Sequence, residues 1–182
     1  EVTTPSAGGV STIKKFEFDL CLGPSSTEDS VFEALGAKAL LDRALRGVKA
    51  TVFAYGATGS GKTHTILGHE REDFESLPVS PGTDLVNDRD GLVARAVKYL
   101  YQTADSQLEI RASFFEVYCE SIYDLLEPNA TALPLREGQG GFFAPGLSEL
   151  DCRSSDDVEA ILREGRRSRR KASHKLNRDS SR

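Results

Sequence analysis

The sequence predicts one α/β domain, because segments with strand-like and helix-like apolar patterns alternate along its 182 residues. Hydrophobic residues make up 38% of the chain and charged residues 28%, which is typical of a globular protein with a sizeable core. One apolar run, Ala50–Tyr55, has no polar face and therefore predicts a buried strand in a parallel pair. A glycine-rich loop follows this run directly.

The first half of the chain predicts an irregular end, a strand, a helix and then the buried strand. Residues 1–15 are mostly polar and predict a frayed N-terminal end. Phe16–Gly23 alternates apolar and polar residues, the pattern of a half-buried strand. The hydroxyl and acidic residues of 25–29 precede apolar residues at helical spacing, which predicts one capped helix that stops at Gly47.

The second half predicts a loop, two helices and several short strands. Residues 69–90 are polar, contain two prolines and predict a long variable loop. Gly91–Ala104 and Ser154–Gly165 each carry one apolar helical face. Leu108–Tyr118 alternates as a strand does, and the glycines and apolar pairs of 133–150 predict hairpin-like short strands.

Hydropathy, charge and cysteine content exclude several kinds of partner. No apolar run approaches the roughly 18 residues of a membrane helix, and no signal peptide opens the chain, so no membrane contact is expected. Net charge is −5, and the basic residues 163–182 include no aromatic side chain, so no nucleic acid is expected. The scattered Cys21, Cys119 and Cys152 predict reduced thiols in an intracellular protein.

Residues Gly56–Thr63 match the phosphate-loop pattern G-x-x-x-x-G-K-(S/T) in full. Glycines permit a tight curl whose backbone N–H groups point at a phosphate, and the helix that begins there adds the positive end of its dipole. Lys62 is expected to reach the β- and γ-phosphates, and the Thr63 hydroxyl to ligate Mg²⁺. Because many kinds of NTPase use this loop, it predicts a nucleotide phosphate but not a reaction.

Three blocks in consistent order resemble kinesin motor domains. FAYGATGSGKTHTILG resembles their phosphate-loop signature FAYGQTGSGKT-(Y/H)-T-M-x-G, and SFFEVYCESIYDLL resembles S-(Y/F)-x-E-(I/V)-Y-N-E-x-(I/V)-x-D-L-L. NRDSSR, residues 177–182, resembles the start of the switch I signature N-x-x-S-S-R-S-H. The resemblance covers about residues 16–182. It implies a P-loop NTPase of the kinesin-motor fold, with a central, mostly parallel sheet flanked by helices, here incomplete.

The resemblance implies roles for the residues that match these motifs. The implied ATP-binding residues are Gly56, Ala57, Thr58, Gly59, Ser60, Gly61, Lys62, Thr63 and His64. His64 would lie beside adenine, and Ser180 near the γ-phosphate and the attacking water. Ser181 would join Thr63 as a Mg²⁺ ligand, and Arg182 would pair with a switch II glutamate. Alternatively, His64 is a surface histidine and the two serines are ordinary loop residues.

Other polar residues predict structural or surface positions. Glu116, Glu120 and Asp124 could suggest a carboxylate site, but the family uses this block to build a strand and hairpin, so a structural role is expected. His69 and His174 show no ligand spacing and are expected to face solvent.

The chain departs from the family pattern at single positions and at its ends. Ala57 replaces a glutamine that is not a phosphate ligand, so ATP binding is expected to survive; Cys119 replaces an asparagine and His174 a threonine. The switch II D-x-x-G-S-E segment, the main microtubule-binding helix and the first strand with its R-x-R-P adenine contact are absent. With no methionine present, this indicates a fragment, a processed chain or an incomplete gene model. We therefore expect the strand Ala50–Tyr55 to lack its neighbour and leave apolar surface uncovered.

The implied parent protein is an ATP-hydrolysing, Mg²⁺-dependent motor of the cytoplasmic microtubule cytoskeleton. Its partners would be tubulin and, through a coiled coil outside this chain, a second copy of itself. We expect these 182 residues alone not to work as a motor. The alternative is a non-motile, kinesin-derived module that binds nucleotide or tubulin without cycling. Another P-loop ATPase or kinase would leave the second and third blocks unexplained.

Overall fold

The computed structural model describes residues 2–4, 12–69, 90–103, 108–127 and 131–179. Within these ranges there are five helices and eight strands. The helices are α1 (Glu28–Ala34), α2 (Ala37–Leu45), α3 (Lys62–Leu67), α4 (Leu92–Thr103) and α5 (Ser155–Asp179). The strands are β1 (Val2–Thr4), β2 (Thr12–Lys14), β3 (Ile110–Ala112), β4 (Phe115–Tyr118), β5 (Ser121–Asp124), β6 (Arg136–Gly138), β7 (Gly141–Phe143) and β8 (Leu150–Cys152).

The described strands form four two-stranded antiparallel sheets, β1 with β2, β3 with β8, β4 with β5 and β6 with β7. The five helices and the small sheets fit the predicted α/β class as a partial domain, while no parallel pair occurs among the described residues. The hairpin predicted within 133–150 is present as β6 and β7, whereas the strand predicted over Leu108–Tyr118 is divided into β3 and β4. Within the N-terminal end that we expected to be loose, β1 pairs with β2.

Two predicted strands are wrong for this structure. Phe16–Gly23 and Ala50–Tyr55 belong to no sheet, and their residues are largely exposed to solvent. Phe53 is 81% exposed and Tyr55 is 95% exposed. An apolar strand is buried only when neighbouring strands and helices cover it, and no described strand pairs with either segment. The uncovered apolar surface expected around residues 50–55 is therefore present.

The predicted helix after residue 25 consists of two helices rather than one. Thr27 caps α1, because its Oγ1 accepts a hydrogen bond from the Ser30 N–H at 3.2 Å. Gly36 then adopts a left-handed backbone with φ of 61°, which interrupts the helical hydrogen bonds before α2 begins. The second helix ends at Leu45 and is capped by Arg46, next to the predicted stop at Gly47.

One small core lies between α1, α2, α3 and α4. Its buried residues are Phe32, Ala37 and Leu92, with Val31, Leu41, Ile66, Ala96 and Tyr99 packed around them. The guanidinium of Arg95, which is 4% exposed, forms an ion pair with Asp29 of α1. Arg95 also donates to the Asp90 carbonyl at 2.8 Å. These contacts place α3, and with it the phosphate loop, against the N-terminal half of α4.

A second core covers another face of α4. Cys152, Val158 and Ile161 are its buried residues, and Val97 and Tyr101 of α4 pack against them. The Tyr101 hydroxyl donates to the Cys152 carbonyl at 2.8 Å. Burial raises the pKa of the Cys152 thiol, as expected of a packing residue rather than a reactive one. The helix predicted to end at Gly165 continues to Asp179, and Gly165 itself lies against Phe114 of this core.

The carboxylate of Asp124 stabilises the turn that follows the β4–β5 hairpin. Burial would raise the pKa of this carboxyl, but backbone N–H groups of Ser148 and Leu126 donate to it at 2.7 and 2.8 Å and hold its pKa below 3.8. These contacts give Asp124 the structural role expected from the sequence. The hairpin itself turns at Cys119 and Glu120, which both have positive φ, as in a type I′ turn.

The end of α3 and the start of α4 are in direct contact. Gly68 forms an isolated antiparallel bridge with Asp90, so the residue after α3 lies beside the residue that precedes Gly91 and α4. A Cβ on the neighbouring Gly91 would overlap the backbone nitrogen of Gly68 and lie 2.7 Å from the Ile66 carbonyl oxygen. A residue without a side chain is therefore required where α3 meets α4. No helix in the described ranges is long and apolar enough to cross a membrane.

Replacing Gly91 with alanine is expected to lower the free energy of unfolding by about 1–3 kcal/mol, since the added methyl group meets rigid backbone. Gly140 provides a matched control, because a Cβ there meets nothing within 4 Å. G140A should stay within about 0.5 kcal/mol of the parent chain. Urea unfolding monitored by circular dichroism measures both variants; equal effects of G91A and G140A would contradict the predicted close contact.

The variant D124N is expected to lose about 1–3 kcal/mol of stability at neutral pH, because one of two buried N–H donors loses its acceptor. The folded-state pKa of Asp124 lies below its ordinary value of 3.8. The ionised carboxylate therefore stabilises the fold above that pH, and this contribution disappears as the pH falls through the folded-state pKa. Denaturant unfolding across this range should show the difference between D124N and the parent shrinking in acid; a constant difference would refute the role of the charge.

Candidate functional site

The residues of the phosphate-loop pattern form a tight turn that leads directly into α3. The Ser60 N–H donates to the Ala57 carbonyl at 3.2 Å and closes the turn. Gly59 and Gly61 have φ of 79° and 89°, in the left-handed region that favours glycine. The Gly61 carbonyl accepts from the Thr65 N–H at 2.9 Å, which is the first helical hydrogen bond. The backbone of the turn therefore favours glycine at position 59 as well as at Gly61, the second fixed glycine of the pattern.

The ammonium group of Lys62 folds back onto the first two residues of this turn. Its Nζ donates to the Gly56 carbonyl at 2.9 Å and to the Ala57 carbonyl at 2.7 Å. Lys62 is half-buried, whereas residues 55–61 before it and Thr63 after it are exposed. The loop thus combines a fixed positive charge with solvent-accessible backbone and a free face for a ligand. These are the features that a polyphosphate requires.

His64 contacts two residues that the sequence did not assign to a site. Its Nε2 lies 2.9 Å from Nε2 of His69 and 3.5 Å from Oε1 of Glu28. The side chain of His69 is 50% exposed, as expected from the sequence, and its Nε2 also lies 3.9 Å from Oε1 of Glu28. The short helix α3 ends between the two histidines, so their spacing of five residues brings both rings together. Glu28 comes from α1, and no local sequence pattern could have indicated it.

The helix that carries Lys62 and Thr63 is held at its C-terminal end. Ile66 packs against the Phe32 cluster, and Arg166 of α5 donates a hydrogen bond to the Leu67 carbonyl. On the other side, residues 51–55 form no strand ladder with the described residues. The loop is therefore fixed to the core through the segment after it rather than the segment before it.

The predicted switch residues cannot be compared with the phosphate loop. Ser180, Ser181 and Arg182 lie outside the described residues, so their predicted roles stay predictions. Asn177 falls within the bounds of α5, so the start of the switch I pattern is helical rather than loop. The described part of the site thus contains the predicted residues from Gly56 to His64.

The chain is similar to known proteins over nearly its whole length. A family model described as the kinesin motor domain matches residues 3–182. The chain is 36% identical over 179 residues to kinesin-like protein KIF15 of Strongylocentrotus purpuratus, an alignment that covers 93% of this chain and 12% of that protein. It is 37% identical over 172 residues to KIF12 of Mus musculus, covering 92% of this chain and 26% of the relative.

This chain is similar in three dimensions to a solved structure described as a fast kinesin. The two superpose with a TM-score of 0.74 at 29% identity, over 93% of this chain and 44% of the other. The chain also aligns over its whole length with Klp61F of Drosophila melanogaster, at 33% identity over 17% of that protein. It therefore spans less than half of the length of each of these relatives.

Proposed function

The chain belongs to the kinesin motor family, and we propose that it supplies the ATP-binding part of an ATP-driven microtubule motor. The observation that supports this most strongly is the turn at residues 56–61, with Lys62 folded back onto its first two residues. The donor set fits a nucleotide with Mg²⁺, because backbone, ammonium and an exposed hydroxyl lie within one short segment.

Within this site Lys62 would exchange its contacts with loop carbonyls for the β- and γ-phosphates of ATP. This exchange replaces two neutral acceptors by charged ones, which strengthens each hydrogen bond. The Thr63 hydroxyl would hold Mg²⁺, which supplies charge neutralisation to the phosphates when bound. His64 would lie beside the adenine ring. Ala57 is exposed, and the glutamine that it replaces in the family pattern is not a phosphate ligand, so ATP binding should survive this substitution.

The switch residues complete the proposed mechanism. Ser180 would orient the attacking water near the γ-phosphate, Ser181 would add the second Mg²⁺ ligand, and Arg182 would close the site by pairing with a glutamate of switch II. Hydrolysis would then depend mainly on positioning and charge stabilisation. Since the 182 residues contain no D-x-x-G-S-E segment, we propose that they bind nucleotide but do not turn it over on their own.

The proposal for the whole protein follows from the family. Kinesin motor domains are ATPases that act on microtubules, so the proposed partner is tubulin and the proposed location is the cytoplasmic microtubule cytoskeleton. A homodimer formed by a coiled coil outside these residues is part of the same proposal. The non-motile, nucleotide- or tubulin-binding module remains the second candidate, supported by the departures at Ala57 and Cys119.

Replacing Lys62 with alanine is expected to weaken ATP binding by about 10- to 100-fold, the effect of losing about 1.5–3 kcal/mol of charge-assisted hydrogen bonds. Fluorescence titration with a labelled ATP analogue in the presence of Mg²⁺ measures the dissociation constant. Lys49 offers a matched control, because it is an exposed lysine that contacts the Gly140 carbonyl at 3.4 Å. Equal affinity of K62A, K49A and the parent chain would contradict a phosphate-binding role.

A microtubule-stimulated ATPase assay on the same proteins separates binding from turnover. We expect the parent chain to bind the labelled nucleotide without measurable turnover, with or without microtubules. Robust turnover by these 182 residues would overturn the second half of the proposal while leaving the first intact.

A further inference from the structure

Three side chains beside the phosphate loop bring potential metal-ligand atoms close to one another. Nε2 of His64 and Nε2 of His69 are 2.9 Å apart. Oε1 of Glu28 lies 3.5 Å from the first nitrogen and 3.9 Å from the second. The three atoms belong to α1, α3 and the residue that follows Gly68, so the fold rather than a local sequence motif assembles them.

We propose that Glu28, His64 and His69 form a binding site for Zn²⁺, distinct from the Mg²⁺ position at Thr63. The three interatomic distances define a triangle whose corners are about 2.0 Å from a common point in its plane, so an ion slightly above that plane, with a fourth ligand on the same side, lies about 2.1 Å from each corner. This length is the bond length of Zn²⁺ to an imidazole nitrogen or a carboxylate oxygen. An ion at this position would therefore reach all three ligands with little movement of their coordinating atoms.

The ligand types select the class of metal. Two neutral imidazoles and one carboxylate suit Zn²⁺ and similar divalent transition metals, whereas Mg²⁺ and Ca²⁺ prefer oxygen ligands alone. Three protein ligands leave one position of a tetrahedral ion for water. The side chains of His64 and His69 are 45% and 50% exposed, so water can reach the site.

Each ligand is carried by a backbone that other contacts hold in place. Glu28 is the first residue of α1, next to the Thr27 cap and to Asp29, which pairs with Arg95. The side chain of Glu28 is only 18% exposed. His69 follows the bridge between Gly68 and Asp90. Binding would therefore lose little backbone entropy, which favours affinity.

The two imidazole rings must turn when the ion binds. They stand nearly perpendicular at 79°, with their centroids 4.1 Å apart. Two imidazoles that bind one ion through Nε2 point away from each other, so the centroids must separate. Because both rings are about half exposed, His69 can rotate toward solvent without displacing the core.

A bound ion would connect α1 to α3. His64 and His69 flank the end of α3, and Glu28 begins α1, so the ion would cross-link the helix of the phosphate loop to its neighbour. Because the unfolded chain holds no such site, metal binding adds to the free energy of folding. Zn²⁺ should therefore raise the thermal midpoint of the chain.

The competing explanation is a hydrogen-bonded cluster that binds no ion, since one histidine can donate to the other at 2.9 Å. Titration of the metal-free 182-residue chain distinguishes the two explanations. Cys21 and Cys119 are free and exposed, so the thiols are alkylated first to prevent their binding the metal. Zn²⁺ binding is followed by competition with a chromogenic chelator, and Co²⁺ reports the coordination number by its absorption spectrum.

We expect one equivalent of Zn²⁺ to bind with micromolar or tighter affinity, and Co²⁺ to give the spectrum of a four-coordinate ion. H69Q and E28Q should each weaken binding by at least about tenfold. Loss of a residue that only hydrogen-bonds to a metal ligand already has an effect of about this size. H174Q changes the remaining histidine of the chain, on α5, and should bind as the parent does. Zn²⁺ should raise the thermal midpoint of the parent and H174Q but not of H69Q or E28Q.

Absence of binding by the parent chain would overturn the proposal. Equal affinity of all four proteins would also overturn it, because the ion would then be held elsewhere. Circular dichroism spectra of H69Q and E28Q establish whether each variant is folded, and either folded variant is sufficient for the comparison. The titration contains no nucleotide, so its outcome is independent of the proposed ATP binding.

Discussion

The buried guanidinium of Arg95 is the contact on which the arrangement of the described helices depends. It joins α1, through Asp29, to the start of α4, and the cores on the two sides of α4 hold α3 and α5. The side chain of Arg95 is 3% exposed and that of Asp29 is 64% exposed, so loss of Asp29 would leave a buried charge with one partner fewer. The phosphate loop is attached to this assembly through α3, since residues 51–55 form no ladder with the described residues.

The sequence predicted the features that local chemistry determines. The phosphate loop requires glycine at positions 59 and 61 and a lysine at 62, and the structure has the turn that this pattern predicts. The α4 helix and the β6–β7 hairpin also follow from local patterns. The lack of a strand at Ala50–Tyr55 could not be predicted in this way, because an apolar strand forms only with neighbours, whatever its own composition. Gly36 divides a helix whose apolar spacing continues through the break.

Local sequence patterns also predicted only part of the candidate site. His64 was identified from its position after the phosphate loop, but its partners His69 and Glu28 depend on where α3 ends and where α1 packs. The α3 helix therefore carries two sets of ligands, the phosphate-binding Lys62 and Thr63 at its start and the two histidines around its end. A ligand at either set would act on the same six-residue helix, which links the proposed nucleotide site to the proposed metal site.

Among the described residues, the phosphate loop is held only from its α3 side, and amide hydrogen exchange followed by mass spectrometry or NMR is the direct test of this attachment. The amides of residues 51–55 are expected to exchange at nearly the rate of an unfolded peptide, while those in the middle of α4 are strongly protected. The helix α4 provides the internal control in the same sample. Protection of residues 51–55 equal to that of α4 would refute a loop held from one side, because it would place this segment in a hydrogen-bonded sheet.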